Sequence, residues 1–346
     1  MKKQLFCVLC VFSLLLCAAC GAPTVGDVGP SQSFFAMDTM MTITLMDGTE
    51  DDLTAAVQEV NALDAMLSRF QDGSPLAEVN AAAGSGVLVP VPQEVGEVLT
   101  EALSAARRSG GAFDPTIAPV ADLWGLSGDT PTVPKDSDLQ AVLPLVGYEN
   151  VLLSDGGMLL SEQGMALDLG GVAKGYAAGK TAEVLKSRGV SSALLNIGGT
   201  VTAMGAKRDG SPWAVAVRDP LDEDGYLGLL TLGDGQTVST SGGYERYFEE
   251  NGTRYHHILD PKTGYPAEKG LLSATVVSEN AALTDAFSTA LFVLGEENAL
   301  ALWRESDDFS FILATEDGRV LVTEDLADSF TFWGEQHGYT LETVRR

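Results

Sequence analysis

The sequence predicts an α+β fold, a single mixed domain in which antiparallel-rich sheets pack against helices. Three observations support this class. Segments with apolar residues at helical spacing dominate the first half, whereas short segments typical of strands dominate the second. Strands and helices do not alternate regularly, as they would in a doubly wound parallel sheet. No internal repeat and no linker rich in Pro or Gly divides residues 34–346.

The predicted elements follow from local patterns, taken in chain order. Gly110, Gly189 and Gly295 each directly follow a helical pattern, at the position where glycine commonly ends a helix. The predicted helices span residues 52–70, 93–109, 172–188 and 280–294. The predicted strands span residues 40–45, 193–197, 213–218, 255–259 and 273–278, followed by a hairpin of 309–315 and 319–323.

The first residues predict a lipoprotein signal peptide over residues 1–19. Lys2 and Lys3 precede a short apolar run, and Ala18-Ala19-Cys20 resembles a lipoprotein cleavage site. We therefore expect Cys20 to be diacylated, although a plain secretory signal is the alternative. Residues 20–33 are rich in Gly, Pro and Ser and are interpreted as a flexible tether. This places the domain on the extracytoplasmic face of the cell membrane, lipid-anchored at Cys20.

The composition limits the chemistry of the mature body. All four cysteines lie in the first 20 residues, so the body has neither disulfides nor a thiolate nucleophile, as suits an oxidising exterior. Asp and Glu number 48 against 21 Lys and Arg, a charge that repels phosphate backbones and excludes nucleic acid as a partner. A nucleotide site on such a protein needs local compensation, for which a divalent metal is the obvious candidate.

One segment, residues 167–177, has the features of a phosphate site. A predicted strand ends in Asp168, and Gly170 and Gly171 allow a ligand to approach the backbone. The following helix begins with free N–H groups, and Lys174 adds a cation in its first turn. The alternative is a tight strand-to-helix turn in which Asp168 is only a cap.

A second pattern indicates a magnesium site. Asp285 and Thr289 are four residues apart in a predicted helix, so they lie on one face. A carboxylate and a hydroxyl are hard oxygen donors, which Mg²⁺ binds together with substrate phosphates and water. The alternative is a solvated Asp and a Thr bonded to its own helix.

Two further segments contain candidate site residues. His256 and His257 are adjacent on a predicted strand, so at most one is expected to face a site. With no cysteine or third histidine nearby, a zinc site is improbable. Phe113 could stack on an aromatic ligand and Asp114 could accept a hydrogen bond from it, or the two could simply form a turn after a helix.

Together these motifs resemble the ApbE family of FAD:protein FMN transferases, from about residue 36 to residue 295. The motifs that carry the resemblance are 36–40, 67–70 with Ser74 and Asn80, 111–116, 168–177, 196–199, 240–242 with Tyr244, 257–261 with Thr263 and Gly264, and Asp285 with Thr289.

The resemblance implies a role for each matching residue. It implies metal binding by Asp285, Thr289 and the carbonyl of Gly171. It makes His257 the candidate general base, with Asp168 as the second choice. The residues that it implies in FAD binding are Met37, Phe70, Ala112, Phe113, Asp114, Asp168, Lys174 and Ile258.

The implied reaction is Mg²⁺-dependent transfer of FMN from FAD to a Thr or Ser hydroxyl of an acceptor protein, with release of AMP. The implied acceptor is a membrane or surface redox protein. Three alternatives remain: an FAD pyrophosphatase that uses water in place of the hydroxyl, a flavin-binding lipoprotein without turnover, and a solute-binding lipoprotein. The last would show two repeated α/β lobes, which the sequence lacks.

Overall fold

The computed structural model describes residues 29–126, 128 and 130–346. The predicted signal peptide, the lipidated Cys20 and residues 20–28 of the predicted tether lie outside the described residues. The tether was predicted to extend to residue 33, but the first strand already begins at Ser31. Its residues pair with the second strand, and this pairing sets the start of the folded domain before residue 34.

Side-chain caps determine where several helices begin. Thr49 forms a reciprocal capping box with Asp52, and Ser74 and Asn280 accept hydrogen bonds from backbone N–H groups three residues later. The helices are α1 (Glu50–Leu67), α2 (Pro75–Ala81), α3 (Gln93–Arg108), α4 (Ala118–Trp124), α5 (Asp136–Val142), α6 (Ala173–Ser187) and α7 (Ala281–Arg304).

The strands form one large sheet and three small ones. They are β1 (Ser31–Ala36), β2 (Thr39–Leu45), β3 (Val151–Ser154), β4 (Gly157–Leu160), β5 (Ala193–Ile197), β6 (Thr200–Met204), β7 (Trp213–Arg218), β8 (Tyr226–Leu232), β9 (Thr237–Gly242), β10 (Tyr247–Glu250), β11 (Thr253–His256), β12 (Leu271–Ser278), β13 (Ser310–Thr315), β14 (Arg319–Thr323), β15 (Phe330–Phe332) and β16 (Thr340–Val344).

The large sheet has nine strands in the order β1-β2-β5-β6-β9-β12-β13-β14-β16. Its neighbours are antiparallel except for β14 and β16, which are parallel. The small sheets are β15-β8-β7, β10-β11 and β3-β4. The fold is therefore α+β with antiparallel-rich sheets, as the sequence predicted.

Each face of the large sheet is covered by a different layer. Because side chains alternate along a strand, Val276 packs into the core beneath the helices while Val277 packs on the opposite side. The second core joins the large sheet to β7, β8 and β15 through side chains such as Trp213 and Leu230. A third, smaller cluster surrounds Trp124, whose indole N–H donates to the carbonyl of Gly264.

Three local predictions differ from the structure. No strand precedes Asp168, since Asn80 bonds both backbone groups of Leu167 and so replaces a neighbouring strand. The predicted strand 255–259 ends at His256. The predicted helix 280–294 does end at Gly295, which is non-helical, but a further helical segment continues directly to Arg304.

Within the residues that the structure describes, no helix is long and apolar enough to cross a membrane.

Candidate functional site

A single large cleft of about 1240 Å³ contains every residue for which the sequence predicted a role in binding or catalysis. The cleft lies where the tip of the β1–β2 hairpin, the start of α6 and the first turns of α7 meet the three-stranded sheet. The predicted residues on its wall are Met37, Phe70, Ala112, Phe113, Asp114, Asp168, Gly171, Lys174, His257, Ile258, Asp285 and Thr289.

The β1–β2 hairpin contributes a strained tip to the cleft. Ala36 pairs with Thr39, which leaves Met37 and Asp38 as a two-residue turn with φ angles of 47° and 57°. Such a turn requires positive φ at both central residues, a conformation costly for residues other than Gly, Asn or Asp. Arg246 donates a hydrogen bond to the carbonyl of Asp38 at 3.3 Å and so holds the tip against the opposite wall.

Arg69, to which the sequence gave no role, connects two parts of the predicted FAD site. Its Nε donates to Asp168 Oδ2 at 2.9 Å, and its Nη2 donates to Asp122 Oδ1 at 2.7 Å. Its guanidinium also lies 4.2 Å from the centre of the Phe70 ring, whose side chain is 58% exposed in the cleft. Asp168 therefore lies in an ion pair, which occupies one of its carboxylate oxygens.

The carboxylate of Asp114 forms hydrogen bonds with nearby groups of the protein itself. Its carboxylate is buried and accepts hydrogen bonds from the N–H and hydroxyl of Thr116 and from the N–H of Tyr148. Burial raises its pKa, and these hydrogen bonds oppose the rise. The geometry matches the turn that was the alternative for this motif, with Phe113 buried beside it.

The predicted phosphate segment forms a compact turn at the start of α6. Asp168 Oδ1 accepts from the N–H of Gly170 at 2.8 Å, and Lys174 Nζ donates to the carbonyl of Gly170 at 2.8 Å. A side chain at Gly171 would meet Phe113 at 3.0 Å, so only glycine leaves the backbone open here. The segment thus brings a cation and bare backbone to one wall of the cleft.

Asp285 and Thr289 lie on one face of α7, as their spacing predicted, and Gly171, which the resemblance added, lies beside Thr289. Asp285 Oδ2 accepts from the N–H of Gly175 at 2.9 Å, which fixes the carboxylate on the α6 side. A Cβ built on Gly171 would lie 3.6 Å from Thr289 Oγ1. The pattern of spacing did not identify the hydroxyls that complete this group: Thr200 and Ser239 near Asp285 Oδ1, at 3.4 and 3.3 Å, and Ser241 at 3.2 Å from Thr289.

This donor set fits a magnesium ion that shares its coordination with a substrate. All nearby donors are hard oxygens, and one carboxylate with one hydroxyl leaves positions for phosphate oxygens and water. Among the described residues no group of three or more His, Cys, Asp or Glu is placed to hold a metal by itself.

Of the two adjacent histidines only His257 lines the cleft, in agreement with the prediction that at most one would face a site. His256 is held by the carbonyl of Ala267 and by the N–H of Ile258, both at 3.2 Å, and its ring meets Phe292 edge-on. His257 lies just past the end of β11 and lines the cleft. His257 was predicted to lie on a strand, and it lies outside one, but it is still the histidine that faces the site.

His257 is set up to accept a proton through its second ring nitrogen. Its Nδ1 lies 3.1 Å from the carbonyl of Arg246, which can only accept, so Nδ1 carries the hydrogen and Nε2 keeps its lone pair. Removal from water lowers its pKa to about 4, and the nearby charges of Arg246 and Lys174 act in the same direction. The imidazole is therefore neutral at pH 7.

Glu245 is a further acid in the cleft that the sequence motifs did not single out. Removal from water raises its pKa, while Lys174, Arg218 and Arg246 oppose the rise. Three basic residues thus lie within electrostatic range of one point in the cleft. An acidic protein with 48 Asp and Glu concentrates its cations here, as a site for an anionic ligand requires.

Residues 37–313 match the profile of the ApbE family. The chain is 33% identical to the FAD:protein FMN transferase of Treponema pallidum, with 93% of this chain and 95% of the relative covered. It is also 33% identical to a protein of the same name from Klebsiella pneumoniae, over 85% of this chain and 91% of the relative.

Two solved structures share the fold. The ApbE protein of Thermotoga maritima superposes with a TM-score of 0.81 at 30% identity, covering 87% of this chain and 99% of that one. The flavin transferase ApbE of Vibrio cholerae gives a TM-score of 0.75 at 27% identity, covering 83% and 94%.

Proposed function

The chain belongs to the ApbE family, and from that premise we propose that it is a Mg²⁺-dependent FAD:protein FMN transferase anchored by lipid outside the cell membrane. The observation that carries the proposal is the shared cleft. The cleft is lined by the exposed ring of Phe70 and by Lys174 at the predicted phosphate segment. It is also lined by the oxygen donors Asp285 and Thr289 and by the neutral imidazole of His257. This is the equipment that a phosphoryl transfer with a flavin nucleotide needs.

FAD is held at both ends of the cleft. Phe70 and Met37 offer apolar surface to the flavin ring, and Arg69 braces Phe70 from behind. Lys174 and the open backbone at Gly171 would contact the diphosphate, whereas both backbone groups of Gly170 are already bonded to Asp168 and Lys174. Asp285, Thr289 and the carbonyl of Gly171 would hold Mg²⁺, which when bound neutralises charge on the phosphate oxygens.

The transfer exchanges the phosphoanhydride bond of FAD for a phosphoester bond to the acceptor. The oxygen of a Thr or Ser hydroxyl on the acceptor attacks the phosphorus on the FMN side. The bond from that phosphorus to the bridging oxygen breaks, and AMP leaves with the bridging oxygen. The hydroxyl proton passes to Nε2 of His257, which is free and unprotonated at neutral pH. Lys174 stabilises the charge that develops on the phosphates.

A direct assay tests this function. The full chain is incubated with FAD, Mg²⁺ and a folded acceptor protein, and the acceptor is weighed by mass spectrometry. We expect it to gain FMN less one water, with one AMP released per FMN attached. AMP and free FMN in equal amounts, with an unmodified acceptor, would instead identify an FAD pyrophosphatase.

Asp285→Asn tests the metal assignment. The amide keeps an oxygen for the N–H of Gly175 but removes the negative charge, so we expect the fold to persist while turnover and stabilisation by Mg²⁺ are lost. The melting temperature is measured with and without Mg²⁺, beside the transfer rate. Asp317→Asn, which changes an exposed carboxylate in the β13–β14 hairpin, is the matched control. Wild-type dependence on Mg²⁺ in Asp285→Asn would contradict the assignment.

A further inference from the structure

β7 is the edge strand of the three-stranded sheet, and its free side faces the cleft. It pairs with β8 and, among the described residues, with no other strand. Val215, Ala216 and Arg218 line the cleft wall. In an antiparallel pair, alternate residues direct their N–H and C=O groups away from the partner. β7 therefore presents a row of backbone groups towards the site.

This edge lacks the features that usually prevent pairing with another chain. Edge strands are commonly protected by charged side chains, proline or bulges. The first five residues of β7 are all apolar without proline, and its register shift falls only at the end, between Val217 and Arg218. Ala216 is exposed and small, which lets a second backbone approach. By contrast β16, at the edge of the large sheet, carries Glu342 and is mostly exposed.

The end of β7 and the groups assigned to phosphate and metal line the same cleft. Arg218, the last residue of β7, is within electrostatic range of Glu245, as are Lys174 and Asp285. A strand rises about 3.3 Å per residue, so β7 provides an edge of roughly 20 Å along the cleft wall. A polypeptide aligned on this edge would bring a side-chain hydroxyl into the cleft.

We propose that the acceptor protein binds as an added β-strand, in which an extended segment containing the reacting Thr or Ser pairs with the free edge of β7. The inference rests on the proposed function, because transfer to a protein requires a polypeptide inside the cleft. A strand edge selects a polypeptide, since its backbone groups match those of another strand. The main chain then supplies affinity, and alternate side chains supply specificity.

The loop after β7 offers a contact for those side chains. Leu221 in this loop and Tyr226, the first residue of β8, are 72% and 46% exposed, and both line the cleft. Large apolar side chains this exposed beside a site favour burial against a partner. The acceptor segment therefore carries an apolar residue close to the reacting hydroxyl.

The first test asks whether a short segment suffices. The full chain is incubated with FAD, Mg²⁺ and a pool of synthetic peptides that have one central Thr and random flanks. Modified peptides are identified by mass. Strand addition needs no tertiary structure in the acceptor, so we expect transfer to peptides, with apolar residues enriched beside the Thr. The same pool with Ala in place of Thr is the control.

A backbone scan of the best peptide then tests the pairing itself. Each amide is N-methylated in turn, which removes one donor and adds bulk. On a strand edge only alternate amides face β7, so methylation at every second position should lower transfer about tenfold or more, and the positions between should tolerate it. A loss without this alternation would overturn the inference.

Variants of β7 test the same edge from the enzyme side. Neighbouring residues of β7 direct their backbone N–H groups to opposite sides. Val215→Pro and Ala216→Pro therefore differ: one removes an N–H that bonds to β8, and the other removes only an N–H on the free edge. The variant with the unchanged melting temperature should lose about tenfold in kcat/KM for the peptide while its affinity for FAD is retained. Ala216→Gly, which keeps the N–H and adds no bulk, is the matched control. If both prolines unfold the domain, the methylation scan decides.

The outcomes separate the inference from the function on which it rests. Folded acceptors in a membrane extract of the producing cell are tested in parallel, and covalent flavin is detected by fluorescence on a denaturing gel. Transfer to folded acceptors but to no peptide would overturn strand addition and leave the transferase intact. Transfer to neither would overturn the transferase itself.

Discussion

His256 and His257 are neighbours in the chain, yet their surroundings give them different chemistry. His256 uses both ring nitrogens to hold the backbone at Ile258 and Ala267. His257 uses one and leaves the other open to the cleft. The difference arises because β11 ends between them, so that the second imidazole follows the turn into the site.

His257→Ala is expected to lower the transfer rate by about 10²–10⁴-fold, the usual cost of a lost general base. FAD affinity should change little, because FAD binding is assigned mainly to the flavin contacts and the metal. His256→Ala serves as the control and should cost stability rather than rate. The measurement is the transfer rate and FAD binding for both variants. Equal losses, or a loss explained by FAD affinity, would remove His257 from the chemical step.

The rate should also report the ionisation of His257. Only the neutral imidazole can accept a proton, and burial lowers its pKa from 6.5 to about 4. We therefore expect the wild-type rate to stay level from pH 8 to about pH 5 and to fall as the pH drops through about 4. A fall centred near 6.5, the pKa of an exposed histidine, would show that the imidazole is not desolvated.

Site residues that lie close together in the sequence could be predicted to meet in the fold. Asp285 and Thr289 are four apart on a helix, so their meeting follows from helical geometry. Arg69 meets Asp168 across 99 positions, and no local period reports such a contact. Glu245 was also missed, because its importance depends on cations from three separate segments.

At the scale of elements, periodicity located four of the seven helices and seven of the sixteen strands among the described residues to within a few residues. The predicted strands 193–197 and 213–218 coincide with β5 and β7, and the predicted helix 93–109 with α3. One wrong prediction, the strand before Asp168, has a tertiary contact in place of a regular partner. The backbone at Leu167 bonds to the side chain of Asn80 instead of a strand, a substitution that a one-dimensional pattern cannot reveal.

Gly295 marks a break inside α7 and should be difficult to replace. Its φ and ψ of 74° and 175° lie in a region open essentially to glycine alone. A Cβ there would also lie 2.7 Å from Cβ of Lys269. We expect Gly295→Ala to lower the free energy of unfolding by about 2–4 kcal/mol, measured by urea denaturation.

Gly73→Ala separates the two causes. Gly73 also has a positive φ, 77°, but a Cβ there meets nothing within 4 Å. Its loss should be about 1 kcal/mol, from backbone strain alone. If the two variants lose the same free energy, the contact with Lys269 contributes nothing.

On the scale of the whole molecule, the distribution of charge separates surface from site. The formal net charge is −27, which disfavours any free anion. The cleft nevertheless collects Lys174, Arg218 and Arg246 near one another. The composition alone predicted that a nucleotide site would need such compensation, although only the fold shows which basic residues supply it.

Cys20→Ser tests the proposed anchor. The thiol is the group that would be acylated, so its loss should release the protein from membranes or leave its signal uncut. Membrane fractionation and the mass of the mature N-terminus measure both. Cys17→Ser is the matched control and should leave the anchor in place. Unchanged acylation in Cys20→Ser would contradict the proposal.

The position of β1 limits how far the proposed anchor lets the cleft move from the membrane. The strand begins at Ser31, and its hairpin carries Met37 directly into the cleft. With lipid at Cys20, about ten residues separate the bilayer from the folded domain, a leash of roughly 35 Å when fully extended. In the proposed anchored state, the cleft therefore reaches only a thin layer above the membrane. A hydroxyl presented within that height is met at high local concentration, whereas one held farther out stays beyond reach however well its sequence fits.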